Sequence, residues 1–383
     1  MIINNVNIID THKNIQGNVY IKNGIIQEIN VQKIPEGMLV IDGKGHALMP
    51  SFVDLHCHLR DPGYTYKEDM TSGMGAALKG GYTHLVAMAN TMPIIDNPAW
   101  IKKNIQKSRD LDLCDLTQVC AVTKKFGKEM VDFTEISALT TVFSNDGSTI
   151  VDKKIMEKAL RLSKELDVYV ATHCDPEVEI IERDLSLIDR IDGHLHVCHI
   201  SQEGSVALIK KAKDKGRHVT CEVTPHHLYA HDTRYKVNPP FGTKSDQEAL
   251  IQAIKDGIID ICATDHAPHT QGDKRQGAPG INNIEMAFGM YWKIFHEYNI
   301  PIQKLSEMMS LTPSHMLKLN SGEIIPGKEA NLVLMDLDHI ANIDINTFVS
   351  KSNNNPFHHE MVRGKVLMTL KRGVIKYDHG CII

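Results

Sequence analysis

The sequence holds no apolar stretch long enough to cross a bilayer. It has no run of basic residues and no aromatic residues interleaved with basic ones, and its formal net charge is -5. Those absences argue against a nucleic-acid or membrane-surface partner. Its eight cysteines stand singly, at 57, 114, 120, 174, 198, 221, 262 and 381, without any Cys-x-x-Cys. Most fall in apolar, strand-like runs, where a reduced cysteine packs as a small hydrophobe. The opening residues Met1-Ile2-Ile3-Asn4-Asn5 lack the charged segment and apolar core of a secretory signal. The expectation is a cytoplasmic, disulfide-free protein that acts on a small molecule.

What is present is an alternation of short apolar runs and longer helix-period segments after residue 50. The runs at 52–58, 82–89, 116–122, 140–145, 168–173, 194–199, 218–223 and 259–264 read as strands. Helices are expected near 66–79, 98–109, 128–138, 151–166, 202–215 and 245–257, with Ser201 as an N-cap and Gly216 as a stop. The connection at 174–193 has room for one helix and little else. Strands that alternate with helices imply parallel pairing, and eight of them suggest an α/β (β/α)₈ barrel over 50–321. The flanks differ. Residues 1–49 and 322–383 alternate apolar and polar positions, with Asn23-Gly24 as a hairpin signal. Neither flank is long enough to stand alone, so the two should combine into one small β-sandwich domain beside the barrel.

The richest stretch is Phe52-Val53-Asp54-Leu55-His56-Cys57-His58-Leu59-Arg60. Side chains alternate faces along a strand, so His56 and His58 point the same way, as half of a metal site would. The other expected strands end at Asp146, His173, His199 and Asp265. Active sites of such barrels gather at these C-terminal strand ends. Four histidines and two aspartates are too many for one tetrahedral zinc but suit two metals sharing a bridging carboxylate. Two such metals can polarise a carbonyl and deprotonate a water, and Asp265 can carry the proton to a leaving nitrogen. The chemistry indicated is hydrolysis, or its reversal, of an amide-like C–N bond. His196 alternates away from His199 and reads as a supporting residue, as His226 and His227 do. Lys153 and Lys154 read as a solvated helix face.

These residues resemble those of a known family. Pro50 to Gly63, with its Asp-Leu-His-Cys-His-Leu-Arg-Asp-Pro-Gly, and Ala263-Thr264-Asp265-His266-Ala267-Pro268-His269 resemble the signatures of dihydroorotases in the amidohydrolase superfamily. Met88-Ala89-Asn90-Thr91, Val197-Cys198-His199-Ile200-Ser201, Glu222 to His227 and Val237-Asn238-Pro239-Pro240 support the match. The likeness is greatest to the bacterial monofunctional type, in which an aspartate bridges the metals in place of a carbamylated lysine. It implies two zinc ions per subunit: His56, His58 and Asp265 on the first, His173 and His199 on the second, and Asp146 between them. Asp265 would also shuttle the proton. Arg60 and Asn90 would grip a substrate carboxylate, with Asn238 and His269 as further substrate contacts. The implied reaction is the reversible cyclisation of N-carbamoyl-L-aspartate to dihydroorotate in pyrimidine synthesis, by a hydroxide bridging the metals.

The chain departs from the family in four places. Asn145 stands where a second aspartate is usual, the 174–193 connection is short, 277–283 lacks an aromatic residue, and Asn331 replaces an aspartate. Two alternatives accompany the reading. One is another cyclic amidase, such as a hydantoinase, dihydropyrimidinase or allantoinase. The other is a non-catalytic, dihydroorotase-like partner of aspartate transcarbamoylase. As partners, the resemblance leaves a homodimer and that transcarbamoylase to consider.

Overall fold

Strands whose two faces are both covered need apolar residues at successive positions, and Phe52–Cys57 is buried at every one. The computed structural model describes residues 1–33 and 36–383. Among these, the parallel strands Phe52–Cys57, Tyr82–Ala87, Asp115–Gln118, Val142–Phe143, Tyr169–Thr172, Leu195–Val197, Val219–Val223 and Ile261–Cys262 alternate with helices. Ladders join the first three strands and the last five. Single bridges close the two seams, Cys120 with Phe143 and Cys57 with His266. Asp54 braces the second seam, accepting from Thr264 N at 2.9 Å and from Thr264 Oγ1 at 2.5 Å. The result is the expected closed (β/α)₈ barrel.

Three local expectations need correcting. The first helix begins at Met70 instead of near 66, because Asp69 caps it and pairs reciprocally with Ser72. The 128–138 segment yields only Phe133–Ile136, capped by Asp132, since Met130 is drawn into a bridge with Thr123. Ser201 is not a cap. Its hydroxyl donates to Glu177, which also accepts from Ser201 N, Gln202 N and Ser205 Oγ. The short connection forms the single helix Glu177–Ile191, burying Ile181, Leu185, Leu187, Ile188 and Ile191.

The two chain ends share one β-rich layer. Among the described residues it is a nine-stranded sheet in which Leu332–Asn342 lies between Met361–Lys371 and Ala47–Pro50. Leu332 pairs with Pro50 and Leu334 with Leu48, so the tail is hydrogen-bonded to the segment that enters the first barrel strand. Ile8, Val19, Ile21, Leu48, Leu332 and Leu370 form its own apolar core.

In the barrel, Phe143 stacks on Phe133 with ring centroids 3.9 Å apart, and both rings are fully buried. Phe143→Ala is expected to destabilise the fold by about 3–5 kcal/mol, read from the shift in a urea unfolding curve.

Candidate active site

The strand ends bring the six expected residues together. His56 and His58 leave the first strand on one face. Asp146 follows the fourth, His173 the fifth, His199 the sixth and Asp265 the eighth. Arg60, His199 and Asp265 each have positive φ, 55°, 34° and 45°. Left-handed residues two or three positions past a strand turn the chain sharply, and such conformations persist where the surroundings over-determine them.

Asp146 is the centre of the group. Its Oδ1 lies 3.3 Å from His56 Nε2, 3.6 Å from His199 Nε2 and 3.7 Å from His173 Nδ1, and its Oδ2 lies 3.5 Å from His58 Nε2. Asp265 Oδ1 is 3.1 Å from His58 Nε2 and 3.6 Å from His56 Nε2. All six residues are buried. Burial alone would raise Asp146 and Asp265, but the surrounding imidazoles hold both well below the usual carboxylate range. For His56 burial works downward, and Asp146 and Glu222 outweigh it, carrying the ring well above its ordinary value.

The donor set fits a divalent metal. His56 Nδ1 lies 2.7 Å from Glu222 Oε1 and His58 Nδ1 lies 2.9 Å from Asn90 Oδ1. Each acceptor anchors an Nδ1–H, which points the Nε2 atoms at carboxylate oxygens; the proton that the raised His56 ring takes at Nε2 occupies the place a metal ion would take. His56 Nε2 is buried without a hydrogen-bond partner among the described residues. Carboxylates and imidazole nitrogens converging in a buried site need positive charge between them, from a proton or from a metal ion. Nitrogen and carboxylate ligands suit zinc, manganese or cobalt. Cys198 also lies near His56, and burial pushes its thiol up to about 12.

The remaining candidates line the same cavity, about 210 Å³ in volume, with His58, Asp146, His173, His199 and Asp265 on one side. That is below the size of drug-binding pockets and suits one small ring. Arg60 Nε donates to Pro268 O at 3.2 Å, and its Nη2 lies 3.0 Å from His269 Nε2. The Asn90 amide donates to Asp146 Oδ2 at 3.1 Å and to Asp146 O at 3.4 Å. The Asn238 side-chain amide is 3.0 Å from His173 Nε2. His227 lies 3.1 Å from Pro239 O and His226 lies 3.2 Å from Asn283 Nδ2, so both act on loops instead of on the cavity.

A family model described as the amidohydrolase family matches residues 47–375. The chain belongs to the amidohydrolase family. It is 40% identical to a dihydroorotase from Clostridium botulinum over 98% of this chain and 99% of that one. It is 34% identical to a dihydroorotase from Aquifex aeolicus over 98% of this chain and 99% of the relative. In fold it matches the L-hydantoinase (dihydropyrimidinase) of Arthrobacter aurescens with a TM-score of 0.90, at 20% identity, over 100% of this chain and 97% of that one.

Some supporting residues escaped the sequence reading. Glu222, buried in the seventh strand, accepts from His56 and also lies 3.0 Å from His196 Nε2, whose Nδ1 is 2.9 Å from Thr220 Oγ1. A carboxylate inside an apolar strand run was the available signal. Asn145 accepts from Val122 N and Thr123 N and donates to Thr123 Oγ1 at 2.7 Å. These three bonds tie the amide to the segment 122–123 and account for its burial. Glu222→Gln leaves His56 without its charged acceptor, so metal affinity is expected to fall about 10- to 100-fold, measured by competition with a chromophoric chelator.

Proposed function

We propose that the protein is a dihydroorotase that binds two zinc ions and interconverts dihydroorotate and N-carbamoyl-L-aspartate in pyrimidine synthesis. The observation that carries this reading is the pairing, across one small cavity, of a buried histidine–aspartate cluster with a wall formed by Arg60 and His269. The first suits a ring amide and the second a ring carboxylate. In this reading His56, His58 and Asp265 hold one ion, His173 and His199 the other, and Asp146 both. When bound, the ions would polarise the amide carbonyl and lower the pKa of a water.

The chain's own groups supply the rest. Arg60 offers a planar guanidinium to the substrate carboxylate, where a lysine would give only a point charge. His269, Asn90 and Asn238 fix the ring from the sides. In the ring-opening direction water attacks the carbonyl carbon and its proton passes to Asp265. The C–N bond then breaks as Asp265 returns that proton to the leaving nitrogen. Cyclisation is the same path reversed.

Two observations favour this over another cyclic amidase. Lys153 and Lys154 are exposed at the start of the helix Lys153–Leu166, away from the cluster, so Asp146 is the bridging candidate. Arg60 is buried against the cavity, which a substrate without a carboxylate does not require. The intact donor set speaks against a non-catalytic partner of aspartate transcarbamoylase. A reducing, cytoplasmic setting is supported by the cysteines, all unpaired and seven of them buried.

The test is the initial rate of dihydroorotate ring opening by zinc-loaded protein. Asp265→Asn is expected to lower kcat by roughly a hundredfold or more, and dialysis against a chelator to remove activity until zinc is restored. Arg60→Lys should act mainly on KM. Absence of turnover with metal demonstrably bound would overturn the reading.

A further inference from the structure

His269 stands between two cations. Its Nε2 is 3.0 Å from Arg60 Nη2, and its Nδ1 is 3.3 Å from Lys67 Nζ. Arginine and lysine only donate, whereas a neutral imidazole has one lone pair and one N–H. Burial, then Arg60 and Lys67, keep the ring neutral, with its pKa pushed down to about 3. One of the two contacts therefore sets an N–H against an N–H.

The surroundings decide which. Lys67 lies behind His269, outside the residues that line the cavity. Its ammonium is fixed there by Asp273 Oδ1 at 3.3 Å. The turn that delivers it is rigidly held: Tyr64 N donates to Arg60 O at 2.9 Å and Lys67 N to Tyr64 O at 2.8 Å. Gly63 in that turn has φ +92°, and a Cβ there would lie 2.0 Å from Met92 O. If His269 carried its proton on Nδ1, that N–H would face an ammonium with no acceptor between them. On the cavity side, by contrast, Arg60 Nη2 and a His269 Nε2–H can share an incoming anion.

We propose that Lys67 is a positioning residue that takes the Nδ1 lone pair of His269 and so keeps the proton on Nε2, making Arg60 and His269 a two-donor clamp for the substrate carboxylate. The clamp rests on the dihydroorotase reading; the tautomer assignment does not. Lys67 never touches substrate. It sets the sense of the one group in the clamp that could otherwise accept instead of donate, and thereby selects an anionic ring over a neutral one.

The measurement is the side-chain ¹⁵N spectrum of histidine-labelled, zinc-loaded protein, with the His269 signal assigned by its loss in His269→Ala. Wild type and Lys67→Arg should have His269 protonated at Nε2. Lys67→Met, and Lys67→Leu as a second variant should the first not fold, should move the proton to Nδ1, with Nε2 accepting from Arg60. In turnover, Lys67→Met should raise KM for dihydroorotate about tenfold or more with kcat changed within about twofold. In a His269→Ala background the same change should have no further effect. Retention of the Nε2 proton without Lys67 would overturn the proposal. So would an equal KM penalty in the His269→Ala background, which would mean that Lys67 acts through Asp273. If wild type does not open dihydroorotate, the functional reading falls while the spectrum still decides the role of Lys67.

Discussion

Three carboxylates, Asp146, Glu222 and Asp265, are buried within one cluster of imidazoles, and the arrangement of the site follows from having to compensate them. Removing a carboxylate from water is costly unless its charge and its lone pairs both find partners. Glu222 is compensated within the protein, by His56 Nδ1 on one oxygen and His196 Nε2 on the other. That compensation has a directional effect. By accepting at Nδ1, Glu222 points the opposite nitrogen, where a proton or a metal ion can sit, at Asp146 and Asp265. Asn90 does the same for His58 without charge. The cluster is thus arranged from behind to demand positive charge at its centre, which is the electrostatic description of a metal site.

Such an arrangement needs a frame that does not relax. The barrel supplies it at the seam between the first and last strands, where Asp54 ties Thr264 to the strand carrying His56 and His58. The β-rich layer contributes from outside. Leu332 pairs with Pro50, and Ser310 Oγ donates to Pro50 O at 3.2 Å, two residues before the first barrel strand begins. Ser51 then bonds Thr83 across to the second strand at 2.6 Å. The entry to the histidine-bearing strand is held from three directions before its first ligand is reached.

What was legible in the sequence is what depends on neighbours along the chain. Buried parallel strands are apolar at successive positions, so all eight could be read, and their ends could be searched for ligand types. What was not legible depends on groups far apart in sequence. Glu222 and His56 are separated by 166 positions, and nothing local distinguishes a carboxylate that orients a ligand from one that is simply buried. Ser201 is the converse case, a good cap by local rules that is captured instead by Glu177. The 128–138 segment failed as a helix for a similar reason, since around the Thr123–Met130 bridge Glu129 O accepts from Lys124 N and Val131 N donates to Val122 O. Lys67 sits in a stretch that reads as the start of a helix, and only the folded turn brings it behind His269.

The proposed division of the cavity into a metal-ligating side and an anion-reading side also has a covalent basis. Asp265 and His269 belong to one segment, four residues apart, so the groups proposed as proton carrier and carboxylate reader are tied together through the backbone. Asn354, from the far end of the chain, pins that segment. Its Oδ1 accepts from His269 N at 2.9 Å, and its amide donates to Ala267 O and Gly280 O, each at 3.1 Å. Gly280 is required there, because φ is +134° and a Cβ would come within 2.6 Å of the Ala267 Cβ. In the proposed reading, a substrate held at its carboxylate by this segment would be registered against Asp265 by the backbone itself. Pre-set registration of this kind removes orientational freedom before the reaction begins, which is where much of an enzyme's advantage over solution arises. Through Asn354 the polar loop at 352–355 thus holds in place the segment that carries His269.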